Sequence, residues 1–173
     1  MEGQGTIGVV RQGRERMVMG TDEIYAKAAA QAGSEVGYAG TITVEEAWRL
    51  LADDPDAVLV DVRTKAEWTY VGVPDLSDLG KETVLVQWKV FPSMVDNAEF
   101  TGELSAMGVT GDKAALLMCR TQVRSAQAAT ALAARGYPRC YVVDGGFEGQ
   151  PDEQKHRGTR DGWKAAGLPW VQG

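Results

Sequence analysis

The sequence is poor in the residues on which several chemistries depend. It has one histidine, His156, and two cysteines, Cys119 and Cys140, in 173 residues. A single imidazole excludes a histidine-rich metal centre, and two cysteines at this spacing make neither a zinc site nor a disulfide framework. No apolar run approaches the roughly 18 residues of a membrane span, and the N-terminus has no apolar signal core. These absences point to a cytoplasmic chain. A Lys/Arg excess is missing too: the net charge is −6, which argues against a general nucleic-acid binder, since neutralising phosphates needs such an excess. Any anionic ligand must be held locally. What is present, 44% hydrophobic residues, supports an ordinary globular core in one domain with a flanking segment.

Residues 1–40 read as an N-terminal extension. Met1 to Met19 mixes Gly and charge without periodicity, with at most a brief strand near Ile7 to Val10. An accessory helix is expected from Thr21, with Thr21 as its cap, Asp22 and Glu23 in the first turn and Gly33 as its stop. The compact domain spans 41–173. Thr41-Ile42 form an entry strand, and Thr43 with Glu46 satisfies the capping-box pattern of a helix through Leu51. Ala57 to Val62, Thr83 to Trp88, Lys113 to Met118 and Cys140 to Val143 read as further strands. Helices are expected at Thr64 to Tyr70, from Asn97 to Met107 and at Ser125 to Arg135. Regular alternation implies an α/β fold: an open, mostly parallel five-stranded sheet with helices on both faces. The long Gly- and charge-rich stretch after Asp144 holds one short helix, about Asp161 to Ala166.

Ligands of an open parallel sheet bind beyond the carboxyl ends of its strands. That rule gathers Asp61-Val62-Arg63, Trp88-Lys89, Cys119 to Arg124 and Asp144-Gly145-Gly146 at one edge. Cys119 ends an apolar strand and is followed by a short loop into a helix, where backbone N–H groups and the positive helix end favour an anion. A free thiol has a pKa of about 8.5, so a thiolate at neutral pH needs about 2.7 kcal/mol of stabilisation. A helix N-terminus supplies about 0.3–1 kcal/mol and at most about 2. Converging backbone N–H donors and the positive field of Arg120 and Arg124 are expected to supply the rest.

The pattern Cys119-x4-Arg124-Ser125 resembles the active loop of rhodanese-domain sulfurtransferases. Asp61-Val62-Arg63 with Glu67-Trp68 resembles the D-V-R-x-x-x-E-[FYW] segment of the same family. Thr41-Ile42-Thr43 with Glu46-Ala47 is similar to its opening, and Gly136-Tyr137 through Val142-Val143-Asp144-Gly145-Gly146-Phe147 to its closing stretch. The match runs from about Thr41 to Leu168. The resemblance implies a thiosulfate sulfurtransferase-like enzyme in which Cys119 takes a sulfane sulfur from a small anionic donor such as thiosulfate. Cys119 then carries it as a cysteine persulfide and yields it to cyanide, a thiol or a protein acceptor. No cofactor, nucleic acid or membrane is implied. The site residues carried over are Cys119 as nucleophile and Arg120, Thr121, Gln122, Val123, Arg124 and Ser125 as the substrate-binding loop. Asp61, Arg63, Glu67 and Trp88 are the supporting residues.

Two departures stand out. Gln122 occupies the place of a glycine, and if that position needs a positive φ it costs of order 1 kcal/mol. The histidine of the customary G-H-I-P-G-A segment is missing from Trp68 to Pro74. Other readings stay open. The chain is alternatively a persulfide carrier or, since related phosphatases place five residues rather than four between Cys and Arg, more remotely a Cys-based phosphatase or arsenate reductase. Cys119 has the alternative of a buried core thiol, and Cys140 that of a resolving partner rather than a core residue. Arg63 is divided between ion pairing and anion contact. Trp88 and Trp163 are candidates for a pocket wall, and Arg157 and Arg160 for steering anions if the late segment covers the mouth.

Overall fold

The computed structural model describes residues 18–173, so the strand expected over Ile7 to Val10 lies outside the described residues. In chain order the elements are α1 (Thr21–Ala32), β1 (Gly40–Ile42), α2 (Val44–Asp53), β2 (Ala57–Asp61), α3 (Lys65–Tyr70), β3 (Val73–Pro74), β4 (Val84–Leu85), β5 (Lys89–Val90) and β6 (Val95–Asp96). There follow α4 (Phe100–Ala106), β7 (Ala114–Met118), α5 (Val123–Ala133), β8 (Cys140–Val143), α6 (Gly162–Ala165) and β9 (Trp170–Val171). Five strands form one sheet in the order β1-β8-β7-β2-β4, every pair parallel. This is the rhodanese-like α/β architecture expected. Asp61 pairs with Met118 and Ile42 with Val143, which brings the carboxyl ends of the strands to one edge.

β7 is central, and all five of its residues are buried. Covered on both faces, it reads as a continuous apolar run rather than an alternating one. Its side chains nevertheless alternate in space. Leu116 and Met118 join Ile42, Leu50, Leu59, Phe147 and Trp163 on one face. Leu117 and Cys119 join Val60, Leu104, Ala128 and Leu132 on the other.

The helix starts show which local signals governed. Thr43 Oγ accepts from the Glu46 N–H at 3.1 Å while Glu46 accepts from the Thr43 N–H at 2.9 Å. Thr64 and Glu67 repeat the same reciprocal cap at α3. The remaining starts shift. Gly20, not Thr21, is the N-cap of α1, its N–H donating to Glu23 at 3.1 Å. Asn97 folds a turn ahead of α4, accepting from the Glu99 N–H at 3.0 Å, so that helix opens only at Phe100. α5 begins at Val123 rather than Ser125, because the Gln122 carbonyl already accepts from Ala126.

α1 packs on the sheet through Ile24 and Ala28. Tyr25 stacks on Tyr141 at 4.9 Å and donates to Asp54 at 2.7 Å. Gly40 permits the approach: a Cβ there would lie 2.5 Å from the Ala28 carbonyl oxygen. The third expected strand, Thr83 to Trp88, keeps only β4 in regular pairing. Its line continues through Val86 N–H to the Asp61 carbonyl and Trp88 N–H to the Val62 carbonyl. The chain then turns out in a β5–β6 hairpin with Phe91-Pro92 near its tip. The late segment is ordered by α6 and by β9, which pairs antiparallel with β3. Trp163 is fully buried, edge-on to Trp48 at 6.0 Å, and donates to the Pro169 carbonyl at 2.8 Å. No helix of the described residues is long and apolar enough to cross a membrane.

Candidate active site

Cys119 leaves the end of β7 with 1% of its surface exposed. Its Sγ lies 3.4 Å from the Ser125 hydroxyl, which also donates to the Gln122 carbonyl at 2.9 Å. One hydroxyl proton therefore has two competing acceptors, and rotating it to sulfur would stabilise a thiolate. No side chain among the described residues caps α5, so its first-turn N–H groups, which no helix satisfies internally, are left for an anion at the loop.

The loop is held from the β8 side. The Cys119 carbonyl accepts from Phe147 at 2.8 Å, and the Arg120 carbonyl from both Glu148 and Gly149 at 3.1 Å. Gly146 makes this fit possible: its φ is +58°, and a Cβ would fall 2.4 Å from the Cys119 carbonyl oxygen. Gln122 has φ −158°, so the feared left-handed strain does not arise at this position.

Asp61 and Arg63 form a pair with both side chains fully buried. Arg63 Nε donates to both Asp61 oxygens, at 3.0 and 3.1 Å, and Nη2 reaches Oδ2 at 2.6 Å and the Gly72 carbonyl at 2.7 Å. Its guanidinium stacks 4.1 Å from the Phe147 ring centroid. Between ion pairing and anion contact, these contacts are those of ion pairing. Arg124 is likewise committed. Its two terminal nitrogens donate to the two Glu67 oxygens at 2.8 and 2.7 Å, and Glu67 also accepts from the Thr64 N–H and hydroxyl. Arg120 is exposed and forms no ion pair among the described residues.

Trp88 turns away from the mouth, edge-on to Phe100 at 5.2 Å with its Nε1 donating to Gln127 at 3.2 Å. Trp163 is in the core, so neither tryptophan lines the cleft beside the loop. That cleft, of about 360 Å³, is lined by Thr64, Ala66, Glu67, Phe91, Met94, Arg120 and Arg124. Phe91 and Met94 are its unforeseen members. The only trace of them in the sequence is a pair of large apolar residues flanking Pro92 and Ser93 in a stretch without periodicity. Arg160 lines a different cleft, with Thr43, Asp144 and Asp161, and Arg157 donates to the Gly149 carbonyl. The steering pair is therefore divided. Cys140 is opposite Ala115, four positions short of Cys119 or about 13 Å along a strand. That exceeds the roughly 7 Å Cα limit of a disulfide, and burial pushes the Cys140 thiol up to about 12; it is a core residue. No group of three or more His, Cys, Asp or Glu among the described residues is placed to hold a metal.

Burial pushes the Glu67 carboxyl up, but the hydrogen bonds and charge of Arg124, with the Thr64 N–H, outweigh it and hold the group at about 2 against an ordinary 4.5. A depressed carboxylate stabilises the fold above its unfolded pKa and ceases to do so as pH falls through the folded one. Glu67 should thus contribute about 2–3 kcal/mol at neutral pH, lost between about pH 4.5 and 2. Denaturant unfolding of wild type and Glu67→Gln at pH 7 and pH 2.5 checks this; a stability gap of the same size at both pH values would contradict it.

The model of the STR4 middle domain matches residues 39–173. Uncharacterized protein RP600 of Rickettsia prowazekii is 36% identical over 126 residues, 72% of this chain and 91% of that protein. The chloroplastic protein THYLAKOID RHODANESE-LIKE of Oryza sativa subsp. indica is 27% identical over 133 residues, 76% of this chain and 25% of that one. Among solved structures, Rv0390 from M. tuberculosis is 46% identical with TM-score 0.69, covering 79% of this chain and 99% of its own. The polysulfide-sulfur transferase homodimer from Wolinella succinogenes shares the fold at 23% identity and TM-score 0.52, covering 88% and 92%. With the family model spanning more than three quarters of its length, including Asp61, Cys119 and Arg124, the chain belongs to the STR4 middle domain family.

Proposed function

We propose that this chain is a sulfurtransferase that carries a sulfane sulfur on Cys119. The observation that supports it best is the setting of Cys119: a recessed thiol at the end of the central strand, entering a helix, with a hydroxyl as its one side-chain hydrogen-bond partner among the described residues. His156 is exposed in the late segment, so no histidine base serves the thiol, and a nucleophile activated by local donors fits this environment. With thiosulfate, the thiolate attacks the outer sulfur, the S–S bond breaks and sulfite leaves with the electron pair, giving Cys119–S–S⁻. Cyanide or a thiol then takes that outer sulfur, and the pair returns to Sγ. The rhodanese-like relative and the polysulfide-sulfur transferase fold match agree with this chemistry.

A carrier role is the second reading, favoured by one observation: Arg124 is saturated by Glu67, leaving one guanidinium, Arg120, for a dianion. Intact-protein mass spectrometry after thiosulfate or polysulfide exposure is expected to show one added sulfur, blocked by prior alkylation. Steady-state thiocyanate formation from thiosulfate and cyanide then separates the two, since a carrier loads but does not turn over. No sulfur gain from either donor would rule out both readings.

A further inference from the structure

The cleft beside the loop is larger and more apolar than an inorganic donor requires. Its volume of about 360 Å³ falls within the roughly 300–1,000 Å³ range of organic ligand sites. One wall is Phe91 and Met94, respectively 54% and 40% exposed, both from the β5–β6 hairpin. That hairpin is braced by Met94 N–H on the Val90 carbonyl at 2.7 Å, Asn97 N–H on the Trp88 carbonyl at 2.9 Å and a Lys89–Asp96 ion pair. Met94 itself is held at φ +57°, a conformation that costs a non-glycine residue of order 1 kcal/mol and that the hairpin imposes. Large apolar side chains fixed at the rim of a cationic cleft are a binding surface rather than a folding requirement.

The charges narrow the ligand further. Arg124 and Glu67 cancel in a bidentate pair, so the cleft keeps one net positive group, the exposed Arg120. A ligand matched to it has one anionic group beside an apolar body.

Resting on the sulfur-transfer reading above, we propose that the cleft selects the sulfur acceptor: an organic thiol whose apolar body lies on Phe91 and Met94 and whose single carboxylate pairs with Arg120. Cys119 is recessed, with 1% of its surface exposed. A persulfide places its outer sulfur about 2 Å beyond Sγ. The cleft is lined by Arg120 and Arg124 of the same loop rather than by Cys119 itself, so in this proposal an acceptor held there meets the sulfur at its outer atom. Its thiol attacks that atom, a new R–S–S bond forms, the Cys119 S–S bond breaks, the electron pair returns to Sγ and the thiol proton passes to the product persulfide. No oxidant or reductant is consumed.

The test uses full-length protein loaded with thiosulfate or polysulfide, with the Cys119 persulfide quantified by mass spectrometry in wild type and each variant. Its discharge is then timed with para-carboxybenzyl mercaptan, benzyl mercaptan and mercaptoethanol. In wild type the rate constants should fall in that order, about threefold at the first step, as the ion pair with the exposed Arg120 is lost, and about tenfold at the second, as the aromatic contact is lost. Phe91→Ser combined with Met94→Ser should cut the benzyl-to-mercaptoethanol ratio about tenfold. Arg120→Gln should bring the carboxybenzyl-to-benzyl ratio close to one. Ratios within one loaded protein cancel any loss of folded material, and comparing those ratios between wild type and variant cancels intrinsic thiol reactivity. A protein that gains no sulfur overturns the sulfur-transfer reading and this inference with it. A protein that loads but shows the same ratios in wild type and variants overturns this inference alone.

Discussion

Replacing Cys119 by serine should reduce turnover of thiosulfate and cyanide at least about 10³-fold, the scale seen when a covalent nucleophile is removed. Serine is close in size and keeps a hydroxyl for Ser125, so the loop, held through backbone carbonyls to Phe147, Glu148 and Gly149, retains its shape. What is lost is the polarizable sulfur that attacks a sulfane atom and later accepts the electron pair back. The second cysteine offers no rescue, because Cys140 is buried at the far end of β8 with its thiol pushed up to about 12. Peptide mapping of the loaded wild type should accordingly place the added sulfur on Cys119 alone. Retention of more than about a tenth of wild-type turnover by Cys119→Ser, with unchanged thermal unfolding, would remove Cys119 from the nucleophile role.

The residues that made this site legible are those whose signal is local. Ala114 to Met118 is apolar throughout because the central strand has no solvent face, and Thr43/Glu46 and Thr64/Glu67 announce their helices because a reciprocal cap needs only a three-residue spacing. The carboxyl-edge rule then carried Asp61, Cys119 and Gly146 to one place, while Asp144 lines a second cleft with Arg160. Partnerships made across the fold were not legible. Glu67 and Arg124 lie 57 positions apart, and nothing in either neighbourhood says that the carboxylate capping α3 also takes the arginine expected to hold an anion. Phe91 and Met94 escaped for a different reason: a short hairpin has no period, and its apolar residues carry no burial pattern. Gln122 departs from the glycine pattern at a position whose backbone angle here asks for no glycine.

The largest stability effect should come from Asp61→Asn. The substitution preserves shape but removes the charge facing a guanidinium that has no solvent to fall back on. Both side chains of the pair are fully buried, and Asp61 additionally fixes the turn by accepting from the Arg63 N–H at 3.0 Å. Arg63 Nη1 already lacks a hydrogen-bond partner among the described residues, so its charge is balanced by Asp61, the Gly72 carbonyl and the Phe147 ring. Breaking a buried pair from one side typically costs about 3–5 kcal/mol. For a chain of this size that is a fall in Tm of about 10 °C. Removing both charges is a different matter, since apolar replacement of a buried pair is often neutral. The double variant Asp61→Asn/Arg63→Met should therefore recover much of the loss, with the coupling read from a double-mutant cycle in denaturant. A single variant within about 1 kcal/mol of wild type, or a cycle with no coupling, would mean that the pair is not what secures the turn between β2 and α3. The orientation of Glu67, and through it Arg124, would then need another support.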